Sequence, residues 1–447
     1  MSLHRKHIRS SAIAILAAIM ALFTSAALAA PAPSSAAKAT KDPQGQADDL
    51  KHPLGDKQRA LHQAGLSKVL KGQTKATGNN KVVQVAKGQY VELARQGEDL
   101  IWTVLGQFGN TASTTYGGAL GPQHNQIPQP DRSVDNTTIW APDFSQSYFQ
   151  NLLFADTAGS VSMRNFYKEL SSNRYTVNGD VTDWVQVPFN AAYYGSNYCG
   201  GITCARTWLF VRDSVNAWYN AQVAAGKTQA QIEADLAKFD VWDRYDYDGD
   251  GNFDEPDGYI DHFQSVHAGE GEETGGGAYG TDAIWSHRWY AFYNNIGVTG
   301  PAFNKLGGIK IGNTNLWIGD YTVEPENGGV GVFSHEFGHD LGLPDLYDTS
   351  GNTGGAENST GFWTLYSSGS YGSTGKPEDG IGTKPIHMSA YEKIFLGWSN
   401  YQVVNYGQNG SIKLGPAEYN TKQAQQLVVT LPDKQVNTQI GAPFAGS

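Results

Sequence analysis

The stretch that most constrains this chain runs from Val330 to Asp348 and reads VGVFSHEFGHDLGLPDLYD. His335 and His339 are four residues apart, so a helix places both imidazole rings on one face, one turn apart. Neutral imidazole is a good zinc ligand, and two rings on one face can hold the same ion. Glu336 follows the first histidine, in the place that the general base has in HExxH hydrolases. The sequence therefore predicts a metal-binding helix with a catalytic carboxylate beside the metal.

The third metal ligand has two candidates. Gly342 lets the chain leave the helix, and Pro344 cannot continue it. Asp345 follows the second histidine by six residues, and a sharp turn at Gly342 would bring its carboxylate back to the metal. Glu357 is the rival, because its distance along the chain from His339 is nearer to that in thermolysin-like enzymes. The spacing and the glycine turn favour Asp345.

The residues around the two histidines are apolar, which bears on whether the helix is buried. Val332, Phe333, Phe337 and Leu341 supply apolar faces, so we expect a buried helix. The alternative is a surface helix with two solvated histidines. A buried pair of imidazoles without partners is costly, so the apolar setting favours a metal between the rings.

A second metal-binding pattern lies upstream, in the stretch DYDGDGNFDEPD. Its oxygen ligands fall at the alternate positions of an EF-hand calcium loop, with Gly251 at the sharp turn. The predicted calcium ligands are Asp246, Asp248, Asp250, Asn252, Asp254 and Asp257. A strand is predicted afterwards, from Gly258 to His267, so the paired EF-hand helices are not expected. Calcium would stiffen this region and take no part in catalysis; the alternative is an acidic, solvated turn.

The N-terminal region has the layout of an exported precursor. A basic head, an apolar core and the small-residue stretch Ala27-Leu28-Ala29 predict a signal peptide over residues 1–29. We read residues 30–98 as a propeptide that contains a disordered linker to about residue 52 and a helix over Pro53–Leu70. This segment contains no cysteine, so a thiolate cannot be the group that blocks the metal. The alternative is an ordinary N-terminal arm.

The net charge and the cysteine content indicate which binding partners and which compartment to expect. The net charge of −11 argues against nucleic acid and anionic membranes as partners. Cys199 and Cys204 are the only cysteines, and a short disulfide loop between them fits a secreted protein. Two free thiols are the alternative. No segment after the signal peptide is apolar enough to cross a bilayer, so we expect an extracellular protein that acts on protein or peptide substrates.

The remaining patterns predict an α+β catalytic domain over residues 99–400 with a mixed sheet and the active-site helix. Leu100–Phe108 and Leu316–Val323 are predicted strands, and Asn178-Gly179 predicts a hairpin within Tyr175–Val187. Thr228 and Gln231 predict a capping box at the start of a helix. Residues 401–447 are predicted to be a β-rich segment, the start of a further region.

Several separated motifs together resemble the immune inhibitor A family of secreted metallopeptidases. In chain order they are DNTTIWAPDF, DGDGNFDEPDGYIDHFQSVHAGEGEE, IWSHRW, HEFGHDLGLPDLYD, GSYG and KIFLGW. The resemblance runs from about Pro53 to the C-terminus. It implies a zinc-dependent endopeptidase, exported as a precursor, with metzincin-like HExxHxxGxxD ligation. His335, His339 and Asp345 would then bind zinc, and Glu336 would be the catalytic base.

One position departs from that pattern. Metzincin-like enzymes carry a methionine in a turn below the metal, where this chain has Tyr366 in TLYSSGS. Tyr366 could replace the methionine as a packing platform, or the site could be weakened. A weak or inactive metallopeptidase-like secreted binding protein is therefore the alternative function, and a zinc hydrolase of a non-peptide substrate is a third. His267 and His287 could line the cleft, but packed, hydrogen-bonded histidines explain them more simply.

Overall fold

A computed structural model of the chain describes residues 47–349 and 360–431. The predicted signal peptide, the first part of the predicted linker, Glu357 and residues 432–447 lie outside these ranges. No helix within the described ranges combines the length and the apolar character needed to cross a membrane.

The described residues form both helices and strands along the chain. The α-helices are α1 (Pro53–Leu70), α2 (Gln146–Phe154), α3 (Met163–Leu170), α4 (Ala191–Gly195), α5 (Thr207–Ala224), α6 (Gln229–Leu236), α7 (Val330–Asp340) and α8 (Ala390–Phe395). The strands are β1 (Val82–Ala86), β2 (Gln89–Glu92), β3 (Gly97–Gln107), β4 (Tyr175–Val181), β5 (Val185–Gln186), β6 (Phe263–His267), β7 (His287–Tyr290), β8 (Ile309–Lys310), β9 (Trp317–Ile318), β10 (Asp320–Pro325), β11 (Tyr401–Asn405) and β12 (Gln426–Thr430). Short 3-10 turns connect several of them. The Thr228–Gln231 capping box is present at the start of α6, as predicted.

The central sheet is mixed. Its strand order is β4-β3-β6-β10-β7, with β5 also paired to β3. All of these pairs are parallel except the last, in which β7 runs antiparallel to β10. Strand β7 is therefore the antiparallel edge of the sheet, next to the strand that leads into α7. The predicted mixed sheet and α+β class agree with this architecture.

Two apolar cores cover the two faces of this sheet. Strand β3 shows the division, because its side chains alternate between the faces. Trp102 and Val104 pack with α5 and α6 in one core, whereas Ile101 and Leu105 pack with α2, α3 and α7 in the other. The predicted metal-binding helix thus lies on one face of the sheet, within a core rather than at the surface.

The region predicted as a propeptide has its own small core. Leu61, Leu66 and Val69 of α1 pack on a cluster from the β1–β2 hairpin and Leu93, which confirms the predicted helix and most of its apolar stripe. Residues 48–50, which the linker prediction treats as disordered, pair with Arg288 at the sheet edge instead. The predicted boundary after residue 98 falls inside β3, so strand β3 joins the two predicted regions without a break.

The hairpin prediction at Asn178-Gly179 is wrong. Strand β4 runs straight through both residues and pairs in parallel with β3, where Gly179 is opposite Ile101. A Cβ atom at Gly179 would lie 2.0 Å from the carbonyl oxygen of Ile101. The glycine therefore permits the close approach of two strands and does not form a turn.

Cys199 and Cys204 form the predicted disulfide in the loop that leads into α5. After α8, strands β11 and β12 pair in parallel in a separate two-stranded sheet. This pairing agrees with the strand content predicted after residue 400, as far as residue 431.

Candidate metal centre

Helix α7 follows β10 after a short turn and is buried along most of its length. Phe333 and Phe337 lie in the core shared with α2 and α3. The backbone leaves the helix through Gly342, whose φ of 96° lies in the left-handed region that favours glycine. This turn reverses the chain, as predicted, and directs Asp345 back toward the helix.

His335, His339 and Asp345 converge on one point. The two Nε2 atoms are 2.9 Å apart, and Asp345 Oδ1 lies 3.5 Å from His335 Nε2 and 3.2 Å from His339 Nε2. A tetrahedral zinc ion with ligands at about 2.0–2.1 Å places its ligand atoms roughly 3.3 Å from each other. The three separations therefore have the size that a shared metal ion requires.

The hydrogen bonds of the two Nδ1 atoms determine which nitrogen of each imidazole carries the proton. Nδ1 of His335 lies 2.7 Å from the carbonyl oxygen of Leu365, and Nδ1 of His339 lies 2.7 Å from that of Leu343. A carbonyl oxygen only accepts, so each Nδ1 carries the proton and each neutral Nε2 presents a lone pair. Two lone pairs that face each other repel unless a proton or a metal ion lies between them.

The charges around the site favour a cation in the same place. Burial lowers the pKa of His335, but Asp345 and Asp48 outweigh it and leave that pKa well above its ordinary value, so without a metal ion a proton on His335 Nε2 lies between the two rings. Burial raises the pKa of Asp345, but His339 and His335 hold it below its ordinary value. Asp345 Oδ1 has no hydrogen-bond donor among the described residues. A metal ion would satisfy both the lone pairs and this orphaned oxygen.

Glu336 lies beside this cluster. It is buried, and its Oε2 has no hydrogen-bond donor in the described part of the chain. Burial raises the pKa of its carboxyl well above the ordinary value, and the nearby Asp48 carboxylate raises it further. A carboxylate with a raised pKa is a stronger base, and an oxygen without a partner is available to a reacting water.

Tyr366 forms the floor of the site. Its ring stacks on that of His335, with centroids 5.2 Å apart and planes inclined by 29°, and its centroid is 5.3 Å from that of His339. The hydroxyl reaches α7 at Gly338, where a Cβ atom would be 1.2 Å from it. Tyr366 thus occupies the packing position expected of the methionine, and Gly338 provides the room for it.

A buried ion network holds the C-terminal end of α7. Both guanidinium nitrogens of Arg244 donate to Asp340, at 2.8 Å each, and His262 Nδ1 also contacts Asp340 at 2.5 Å. Burial raises the pKa of Asp340, but Arg244 and His262 hold it far below its ordinary value. The sequence analysis missed this network, although Asp340 directly follows His339.

Asp48, in the N-terminal segment, also reaches the metal cluster. Its Oδ2 is 3.6 Å from His335 Nε2, and its backbone N–H donates to Asp345 Oδ2 at 3.0 Å. Ligand atoms of Asp48, His335 and Glu336 lie within 4.8 Å of one another. No sequence signal points to this residue, because it lies in a polar stretch that contains no recognisable motif.

The acidic loop brings part of the predicted calcium set together. Carboxylate oxygens of Asp246, Asp248 and Asp250 lie within 4.8 Å of one another, and Gly251 makes the turn with a φ of 84°. The remaining predicted ligands have other partners in the described structure. Asp254 accepts a hydrogen bond from Asn80, and buried Asp257 accepts from the Tyr259 backbone and from Asn304. The Asn252 side chain donates to Glu255, whereas the ligand atom predicted for Asn252 is its backbone carbonyl oxygen.

Asp243 and Glu255 offer a second arrangement around the same loop. Their carboxylates and that of Asp248 also lie within 4.8 Å of one another. Asp243 is fully buried, and its Oδ1 has no donor among the described residues. Burial raises the pKa of Asp243 to about 7, and Asp246 and Glu255 contribute to the rise. The sequence analysis missed both residues, because Asp243 precedes the motif and Glu255 falls between its ligand positions.

Comparison with known proteins places the chain in a family. The sequence profile described as immune inhibitor A peptidase M6, catalytic domain, matches residues 87–402. The chain belongs to this family. It is 36% identical to immune inhibitor A of Bacillus thuringiensis subsp. alesti over 323 residues, which is 67% of this chain and 44% of that relative. It is also 35% identical to the pre-pro-metalloprotease PrtV of Vibrio cholerae serotype O1, strain M66-2, over 324 residues, which is 68% of this chain and 32% of that relative.

Membership of the immune inhibitor A family confirms the resemblance seen in the motifs and places this chain in a peptidase family. The chain spans less than half of the length of these relatives. The matched region contains both the metal cluster and the acidic loop, and it begins inside the segment predicted as a propeptide.

Two histidines from the family-like motifs are packed residues. His267 is buried, contacts the Ala268 carbonyl through Nδ1 and has a pKa lowered to about 4 by burial. His287 is also buried, lies between the Trp285 carbonyl and the Tyr321 hydroxyl, and has a pKa lowered to about 4 by burial. Both agree with the simpler of the two expectations.

The packing of Tyr366 against Gly338 can be tested by substitution of either residue. We expect Gly338→Ala to lower the free energy of unfolding by about 1–3 kcal/mol, because the new methyl group overlaps the Tyr366 hydroxyl. Adding Tyr366→Met should recover part of this loss, since it removes the hydroxyl and the ring edge. Thermal unfolding of both variants measures the effect.

Gly410→Ala is the matched control, because a Cβ atom at Gly410 meets nothing within 4 Å. Equal melting temperatures for Gly338→Ala and Gly410→Ala would contradict the packing argument.

Proposed function

We propose that this protein is a secreted zinc-dependent endopeptidase that hydrolyses peptide bonds of extracellular proteins. The observation that carries the proposal is the convergence of two Nε2 lone pairs and an orphaned carboxylate oxygen beside a buried Glu336. His335, His339 and Asp345 are the proposed zinc ligands, in a metzincin-like arrangement. Family membership supports the peptidase class.

The chain's own residues have distinct parts in this reaction. A bound zinc ion supplies a Lewis acid and lowers the pKa of water to about 7. Glu336 Oε2 takes a proton from the attacking water and returns it to the nitrogen of the leaving amine. The carbonyls of Leu365 and Leu343 hold the two imidazoles in the tautomer that presents Nε2. Tyr366 keeps the His335 ring from tilting.

The alternative, a weak or inactive metallopeptidase-like binding protein, rests on the missing methionine. Tyr366 packs beneath both imidazoles, which supports the peptidase proposal over this alternative. A non-peptide substrate is disfavoured by the family to which the chain belongs.

The proposal includes export as a precursor and stabilisation by calcium. The signal-like residues 1–29 and the Cys199–Cys204 disulfide support an extracellular protein. The contact of Asp48 with the metal cluster supports a latent form in which residues 30–98 act as a propeptide. The grouped carboxylates of the acidic loop repel each other and would be relieved by a calcium ion.

Glu336→Gln tests the catalytic base. We expect the variant to keep its zinc and to lose casein hydrolysis by about 10²–10⁴-fold, because the amide cannot accept the proton. Both proteins should first receive the same limited proteolysis, so that processing does not differ between them. Glu378→Gln, the same change at an exposed site, should leave the rate unaltered. A wild-type rate in Glu336→Gln would rule out this residue as the base.

The identity of the third ligand can be decided by zinc content. We expect Asp345→Ala to lose the metal during dialysis, whereas Glu357→Ala keeps about one zinc ion per chain. Elemental analysis of the two purified variants, with circular dichroism to check folding, gives the answer. The opposite pattern would assign the ligand to Glu357.

The calcium proposal is tested through Asp248, which belongs to both carboxylate groups. Calcium at about a hundredfold excess over its Kd should stabilise the wild-type protein by about 2.7 kcal/mol. Asp248→Asn should reduce the corresponding rise in Tm, because the amide keeps one ligand oxygen but loses the negative charge. The exposed Asp183→Asn is the control. Loss of the response in Glu255→Gln but not in Asp250→Asn would select the arrangement with Asp243. An unchanged response in Asp248→Asn would exclude a calcium site in this loop.

A further inference from the structure

A cleft opens beside the metal cluster, on the side of Glu336. Val332 and Glu336, which are one helical turn apart on the same face of α7, form one of its walls. The other walls come from the segment after Tyr366 and from two segments that precede β7. From these segments the lining includes Ser367, Ser370, Tyr371, Glu273, Trp285 and Ser286.

The Glu273 carboxylate has a fixed position in this cleft. Ser286 donates to both of its oxygens, from Oγ to Oε1 at 2.6 Å and from the backbone N–H to Oε2 at 3.2 Å. The side chain also folds back on its own turn, because a Cβ atom at Gly271 would lie 2.3 Å from Oε1. The carboxylate is therefore oriented before any ligand arrives.

This carboxylate lacks a partner of opposite charge. Glu273 is 7% exposed, and no ion pair to it is found within residues 47–349 and 360–431. Burial raises the pKa of Glu273 to about 7; the hydrogen bonds from Ser286 oppose the rise, and the Asp48 carboxylate adds to it. A buried carboxylate is costly unless a charged group is paired with it, so a cation that enters the cleft would reduce this cost.

Ser367 provides a second, independent sign of a ligand. It is 4% exposed, and its Oγ has no hydrogen-bond partner among the described residues. Buried polar atoms are nearly always paired, so this oxygen is available to a group that enters the cleft. Ammonium and guanidinium groups carry several N–H donors and no acceptor. A negative charge and a spare acceptor together suit a cationic side chain better than an apolar one.

The position of Glu336 indicates which substrate residue reaches the cleft. In the proposed reaction Glu336 returns a proton to the nitrogen of the leaving amine, so the residue that carries this nitrogen lies beside the cleft. We propose that the cleft binds the side chain of that residue and that Glu273 selects lysine or arginine there. This inference rests on the proposed function, because it requires peptide hydrolysis at the metal centre. The substrates are then extracellular proteins cut on the N-terminal side of basic residues.

The first test needs no variant. The wild-type protein, after the limited proteolysis described above, digests denatured casein, and mass spectrometry identifies the first residue of each product. We expect lysine and arginine at new N-termini more often than their share of the casein sequence. Products without this excess would overturn the inference.

The second test assigns the selection to Glu273. Two peptides copy one observed cleavage site and carry either lysine or norleucine after the scissile bond, since norleucine keeps the four-carbon stem without the charge. We expect Glu273→Gln to lower the ratio of the two kcat/KM values by about 10–100-fold, because a hydrogen bond between charged groups is lost. The glutamine oxygen still accepts from Ser286. A merely structural role would lower both values equally and leave the ratio unaltered.

Glu272→Gln is the matched control. Glu272 is the neighbouring carboxylate, accepts from Asn197 at 2.6 Å and does not line the cleft in the described structure. Its substitution should leave the ratio unaltered. Equal ratios in the wild type and Glu273→Gln would overturn the role of Glu273 and leave the peptidase proposal intact. Absence of chelator-sensitive casein digestion by the wild type would overturn the proposed function, and this inference with it.

Discussion

Two imidazole Nε2 atoms that face each other at 2.9 Å are the constraint on which the rest of this site depends. The arrangement is unfavourable without a proton or a metal ion between the rings, and the fold imposes it from several sides. Backbone carbonyls of Leu365 and Leu343 fix the protons on the far nitrogens, and the left-handed turn at Gly342 returns Asp345 to the same point. A divalent cation replaces these repulsions with metal–ligand bonds. The free energy of metal binding is therefore linked to the free energy of folding.

The surroundings of α7 show how the fold sustains such a site. Arg244, Arg288 and Asp320 join the Asp340 end of the helix to β7 and β10 through buried ion pairs. Buried ion pairs are weak contributors to stability, but removing one partner leaves a costly lone charge. The network therefore resists small displacements of α7 relative to the sheet. Because a zinc site tolerates errors of only a few tenths of an ångström, this resistance matters more than the net free energy of the network.

The sequence predicted the features that follow from local rules. The HExxH spacing, the glycine turn and the capping box at Thr228 each depend on a few neighbouring residues, and the structure agrees with the expected helix and turns. The wrong hairpin at Asn178-Gly179 shows the limit of local rules. Gly179 is needed for its close contact with Ile101 on the neighbouring strand, 78 positions earlier. A dipeptide that forms turns in isolation is here required by a neighbour that no local pattern reveals.

The functional residues that the sequence analysis missed also depend on contacts that no local pattern reveals. Asp48 is 287 positions from His335, and Arg244 is 96 positions from Asp340. Asp243 lies just outside the acidic motif and becomes a candidate only through its burial and its unpaired oxygen. Charged residues in a polar stretch are usually solvated, so only the tertiary structure separates these from their many exposed neighbours.

The pairing of residues 48–50 with β7 has a consequence for association between copies of the protein. An edge strand without a neighbour presents free amide and carbonyl groups, which recruit any extended chain that approaches. Within the described structure this edge is covered as long as the N-terminal segment stays attached. Without this cover, the amide and carbonyl groups of the edge can pair with a second copy of the protein, so the cover protects the protein against self-association.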